Sequence, residues 1–163
     1  MRPGFILLLL ATILGAGKLC AQRSNGYIFF APGGVNCCGE PTAMTIQAGF
    51  GGEYGIGKGI GVGAELSALG TRRYLLDSVV GVFSPNAYYH FVHQRDSKFD
   101  PFVTAGYSMM FRAGHANLFN FGAGVHYWFT HGVGLRLEFR DHVLRGDYNP
   151  TLNYWGFRFG LVF

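Results

Sequence analysis

From Gly26 onward the chain alternates bulky apolar residues with small or polar ones in eight segments separated by turn-formers, which is the period-two signature of strands. The last segment shows it most clearly. Trp155, Phe157, Phe159, Leu161 and Phe163 share one side, and Tyr154, Gly156, Arg158, Gly160 and Val162 share the other. A half-exposed soluble sheet sets polar and charged side chains opposite its oily face, whereas here the opposite face is mostly glycine with one arginine. Bulky apolar groups against lipid and small or polar groups in a narrow interior account for this pattern. They predict an all-β fold, an eight-stranded antiparallel up-and-down transmembrane β-barrel.

The first segment, Tyr27 to Ala31, is short and its facing is open, and Pro32 to Pro41 reads as a loop. The second, about Ala43 to Tyr54, turns Met44, Phe50 and Tyr54 outward and Thr45, Gln47 and Glu53 inward; a tight turn at Gly57 and Lys58 leads into the third. There Ile60, Val62 and Leu66 point outward, Glu65 and Ser67 inward. The fourth, about Ser78 to Phe91, directs Ser84, Asn86, Tyr88 and His90 inward and contains Pro85, which a strand tolerates at a bulge or irregular pairing. The polar turn Gln94 to Lys98 leads to a fifth, which sets Val103, Tyr107 and Phe111 outward and Thr104, Ser108 and Arg112 inward. The sixth, Leu118 to Phe129, sends Asn120, His126 and Trp128 inward, and the connection Thr130 to Gly132 reverses into a seventh with Leu137 and Phe139 outward and Arg136, Glu138, Arg140 and His142 inward. A tilted strand crosses a bilayer in roughly 9–11 residues, the length of these segments, and an even strand count puts both termini on one side.

Composition supports the same class. The 163 residues include 26 glycines, 17% are aromatic and 13% charged, where soluble domains carry about 25% charged residues. Met1 to Ala21 has a basic start at Arg2, an apolar run from Phe5 to Leu14 and a small-residue end, which reads as a secretory signal peptide. The run is too short for a spanning helix. Cleavage after Ala21 leaves one domain, residues 22–163. Without Arg2 and Lys18, 11 basic residues face 9 acidic ones, so no nucleic-acid footprint remains.

The stretch GAGVHYWFTHGVGLRLEFRDH, Gly122 to His142, resembles small bacterial outer-membrane barrels of the OmpA/OmpX-like class, as do FSPNAYYHF, Phe83 to Phe91, and Trp155 to Phe163. The likeness spans the whole mature chain and implies the cell outer membrane, with both termini in the periplasm. A closing strand that ends on an aromatic resembles the carboxyl-terminal signature of the class. That implies Phe163 as an assembly signal read by the barrel-assembly machinery. The expected partners are this machinery and outer-membrane lipid, with the barrel a monomer. No peptidoglycan-binding domain is expected after Phe163, so the anchoring role of two-domain relatives is not carried over.

The strongest site-like feature is an inward set of charges, Glu53, Glu65 and Glu138 against Arg136, Arg140 and Arg158. Eight strands leave an interior only wide enough for side chains, and charges buried there must pair, so the expectation is a plug, with Glu53 serving Arg136 and Arg158. The alternative is a small-solute channel. His90, His126 and His142 point inward, but His126 and His142 lie toward opposite ends, so no shared metal site is expected and no cofactor. Lipid A-modifying barrels pose a third possibility. The deacylase pattern sets a serine two residues after its histidine, whereas His126 is followed by Tyr127 and Trp128, so no catalytic residue is assigned. Cys37 and Cys38 stand in an oxidising compartment, where adjacent cysteines form a vicinal disulfide, pair between molecules or stay reduced.

Overall fold

A computed structural model describes residues 24–36, 42–71, 79–92, 97–112, 115–144 and 152–163. The stretch read as a signal peptide, Cys37, Cys38 and residues 145–151 lie outside these residues. The strands are β1 Asn25–Asn36, β2 Ala43–Gly57, β3 Ile60–Thr71, β4 Val80–His90, β5 Phe99–Phe111, β6 Ala116–Trp128, β7 Gly134–Leu144 and β8 Leu152–Val162. Each pairs antiparallel with its sequence neighbours, and β1 pairs with β8 to close the barrel. The seam is fastened at its end by reciprocal bonds: Phe163 N donates to Gly26 O at 2.8 Å, and Gly26 N to Phe163 O at 2.7 Å.

The alternation read from the sequence survives as an inside-out distribution. Outward stand Phe50, Val62, Phe83, Phe119, Phe121, Phe139, Phe157 and Phe159, all exposed, with Phe119 reaching 68%. Inward and buried stand Gln47, Glu65, Ser84, Asn120, Arg140 and Arg158. The tight β2–β3 turn carries positive φ at Gly57, Lys58 and Gly59 (132°, 52° and 85°), a run that needs glycine on either side of a single tolerant residue.

Two expectations change, at β1 and at Arg112, and two points are added. The strand β1 continues through Pro32, Gly33 and Gly34 to Asn36, in what reads as a loop, because β2 pairs with it as far as Val35. The facing of β1 is now fixed: Tyr27, Phe29 and Ala31 are inside, Ile28 and Phe30 outside. The strand β5 starts at Phe99, which carries Asp100 onto the inner face. Arg112 is not in the lumen. It follows β5 with φ of 95°, is exposed, and its Nη1 donates to Val79 O at 3.1 Å.

The prolines fit because each leaves one flank of its strand unbonded. Pro32 pairs with Ile46 of β2 but falls in the break of the β1–β8 ladder between Phe30 and Gly33; Pro85 pairs with Ala64 of β3 but falls in the β4–β5 break between Phe83 and Asn86. A missing N–H costs little where no ladder bond is due.

Candidate functional site in the barrel lumen

The inner face holds two clusters at different heights. The central one is built from alternate positions of β7, namely Arg136, Glu138 and Arg140, with Glu65 of β3 and Arg158 of β8 reaching across. Register sets Arg158 directly beside Glu138. Arg136 donates from Nε to Glu138 Oε2 at 2.9 Å and brings Nη2 to the same oxygen at 2.8 Å. Arg140 pairs with the other oxygen of Glu138 and reaches Glu65 Oε2 through Nη1 at 3.3 Å. Arg158 Nη1 lies 2.8 and 2.7 Å from the two Glu65 oxygens. Its Nη2 donates to Gln47 Oε1 at 3.3 Å, and Gln47 Nε2 to Ser67 Oγ at 2.8 Å.

Aromatic rings complete this layer. Tyr27 OH donates to Glu65 Oε2 at 3.1 Å and lies 3.0 Å from Tyr88 OH. The Arg136 guanidinium sits 4.2 Å from the Tyr27 ring centre and 4.4 Å from that of Phe102, and Arg158 sits 4.4 Å from that of Phe29. Desolvated cation–π contacts of this kind contribute up to about 2 kcal/mol. Side-chain exposure of Arg136, Arg140 and Arg158 is only 0–2%, so their charged ends are held within the lumen. Glycines make the room: a Cβ on Gly124 would lie 2.7 Å from Phe102 Cζ.

The second cluster lies at the end of the barrel that holds the termini. His90 closes β4, Asp100 opens β5, and His126 on β6 is the register partner of Asp100. His90 Nε2 is 2.6 Å from Glu53 Oε1 and Nδ1 is 2.8 Å from Asp100 Oδ2. With a carboxylate on each nitrogen, the ring has the setting of an imidazolium donating twice. Counted so, Arg136, Arg140, Arg158 and His90 balance Glu53, Glu65, Asp100 and Glu138 among the described residues. His126 Nδ1 is 3.6 Å from Asp100 Oδ2, and its Nε2 is 2.9 Å from Arg136 Nη1. A guanidinium only donates, so Nε2 accepts.

Five of the six charges expected together, Glu65, Glu138, Arg136, Arg140 and Arg158, therefore meet. Glu53 does not join Arg136 or Arg158; it belongs to His90. The histidines divide differently from expectation as well. His142 is far from His126, stacked 3.9 Å from Tyr154 with Nε2 3.0 Å from its hydroxyl, but His90 and His126 are neighbours, 5.7 Å between ring centres. Asp100 is the residue sequence reasoning missed. Its signal was its place beside a connection on the same barrel end as His90 and His126.

The family model for the outer membrane protein beta-barrel domain matches residues 6–163. The chain belongs to this family. Among solved structures, this outer-membrane barrel is similar to Neisserial surface protein A, with 14% identity, TM-score 0.68, and coverage of 87% of this chain and 97% of that one. It also resembles the N-terminal barrel domain of Pseudomonas aeruginosa OprF, at 16% identity, TM-score 0.57, and coverage of 86% and 98%. The outer membrane enzyme PagL aligns at 13% identity, TM-score 0.57, and coverage of 82% and 97%. Identities this low speak for the fold alone. No curated protein matches the chain by sequence.

Proposed function

We propose that this outer-membrane barrel is a non-conducting scaffold with a structural or surface-interaction role, its lumen closed by side chains. The carrying observation is the continuous ionic layer from Arg136 through Glu138, Arg140 and Glu65 to Arg158, in which three arginine side chains are buried across the bore. Against a deacylase-like role, the outward positions of the described strands carry no serine, cysteine or histidine, so a serine–histidine or cysteine–histidine pair has no place to meet there. The reading includes periplasmic termini, with the short β2–β3 and β6–β7 turns on that side, because short turns lie at the periplasmic rim of such barrels. It also includes Phe163 as the residue read by the assembly machinery, and a monomer held in outer-membrane lipid.

Planar-bilayer recording of the purified barrel tests the plug. The unmutated protein should be silent, and Glu65→Ala, which strips Arg140, Arg158 and Tyr27 of their shared carboxylate, should leak. Stable open channels in the unmutated protein would replace the plug with a pore.

A further inference from the structure

The cluster at the terminal end has unbonded carboxylate and imidazole atoms, whereas the unbonded atoms of the central ionic layer are arginine nitrogens, Arg136 Nη2 and Arg140 Nη2, each already ion-paired with Glu138. Glu53 Oε2, Asp100 Oδ1 and His126 Nδ1 are all buried with no hydrogen-bond partner among the described residues, and His126 itself is fully buried. His90 Nδ1, Asp100 Oδ2 and His126 Nδ1 face one another, every ligand atom of the group lying within 4.8 Å of the others. Tetrahedral zinc, with bonds of about 2.0–2.2 Å, needs ligand atoms about 3.3 Å apart; the two distances to Asp100 Oδ2, 2.8 and 3.6 Å, bracket that value.

We propose that His90, Asp100 and His126 form a binding site for a divalent transition-metal ion, zinc being the best fit to two imidazoles and one carboxylate. Three adjacent strands supply the ligands, and backbone bonds hold their ends together: Phe91 N donates to Pro101 O at 3.0 Å and Trp128 N to Lys98 O at 2.8 Å. Phe102 packs on both imidazoles, 5.5 Å from His90 and 4.7 Å from His126 between ring centres, walling the site from the bore. The ion takes the place of the proton shared by His90 Nδ1 and Asp100 Oδ2. His90 then keeps Nε2–H for Glu53 Oε1, the carboxylate–histidine–metal arrangement that fixes ring orientation in such sites. The Asp100 side chain is 18% exposed, so the ion enters from the barrel mouth. Ligation through His126 Nδ1 places a proton on Nε2, and Arg136 Nη1 must release that contact while holding Glu138.

Cobalt(II) serves as the probe, added to the tag-free mature barrel folded in detergent micelles. The expected result is one equivalent bound, with a four-coordinate ligand-field spectrum, displacement by zinc, and paramagnetic shifts of the His90 and His126 ring signals. His126→Ala should weaken binding at least about 100-fold and Glu53→Gln by about 10–100-fold, while His142→Ala leaves it unchanged. Failure of the unmutated protein to bind stoichiometrically, or binding that leaves both ring signals in place, overturns the proposal without need of any variant. Binding retained by folded His90→Ala/His126→Ala does the same. Bilayer silence would persist in either case, so this test and that of the plug fail separately.

Discussion

The centre of the lumen and its terminal mouth are built from the same residue types but follow opposite rules. In the centre each carboxylate serves two arginines: Glu138 holds Arg136 and Arg140, and Glu65 holds Arg140 and Arg158. At the mouth the ratio reverses, and one imidazole lies between two carboxylates, each with an oxygen to spare. Excess cation donors in a fixed fork make a rigid closure, since every removal strands a buried charge. Excess acceptor oxygens around imidazoles leave room for another cation. Position in the bore separates the two: the arginines of the centre are 0–2% exposed, whereas Asp100 at the mouth is 18% exposed.

The sharpest break of this contrast is Glu138→Ala. It leaves Arg136 and Arg140 short of their common partner, and removing one member of a buried ion pair costs about 3–5 kcal/mol. Denaturant unfolding of the barrel in lipid should show that loss. Next comes Leu137→Arg, one residue away but on the lipid face, where a cation near the midplane costs about 2–4 kcal/mol. A neutral result in the same unfolding assay would mean the strand meets protein or water there rather than lipid. Glu53→Gln at the mouth should cost less, about 1.5–3 kcal/mol, the range for a hydrogen bond to a charged group. A loss equal to that of Glu138→Ala would erase the distinction between the two clusters. The smallest effect is expected for Ser84→Ala, which removes one neutral bond, Ser84 Oγ to Ser108 Oγ at 2.8 Å, worth about 0.5–1.5 kcal/mol.

What could be read in the sequence was which way each side chain points. Period-two patterning placed Glu65, Glu138, Arg136, Arg140 and Arg158 inside and Phe119, Leu137 and Phe159 outside, and the eight strands and the closed barrel followed from it. Height along the axis was harder, because it depends on the stagger between strands. Sequence position alone matches Glu53 with Arg136 and Arg158, and the stagger instead delivers it to His90. Turn-forming residues mislead at one place: Pro32, Gly33 and Gly34 read as a loop although pairing with β2 keeps them extended. Arg112 shows the opposite error: alternation was carried one residue past the strand end, where a left-handed backbone turns the side chain away.

The seam between β1 and β8 has a consequence in time. Tyr27 and Val162 are partners, so the ring cannot close until nearly the whole chain is in place, whereas all other strand pairs join sequence neighbours. Pairings of such separation form slowly, because loop-closure entropy is lost before contacts repay it. Until then both outer strands present open backbone edges, the hazard that complete barrels abolish. The last step of maturation is therefore also the one that removes the chain's ability to pair with a stranger.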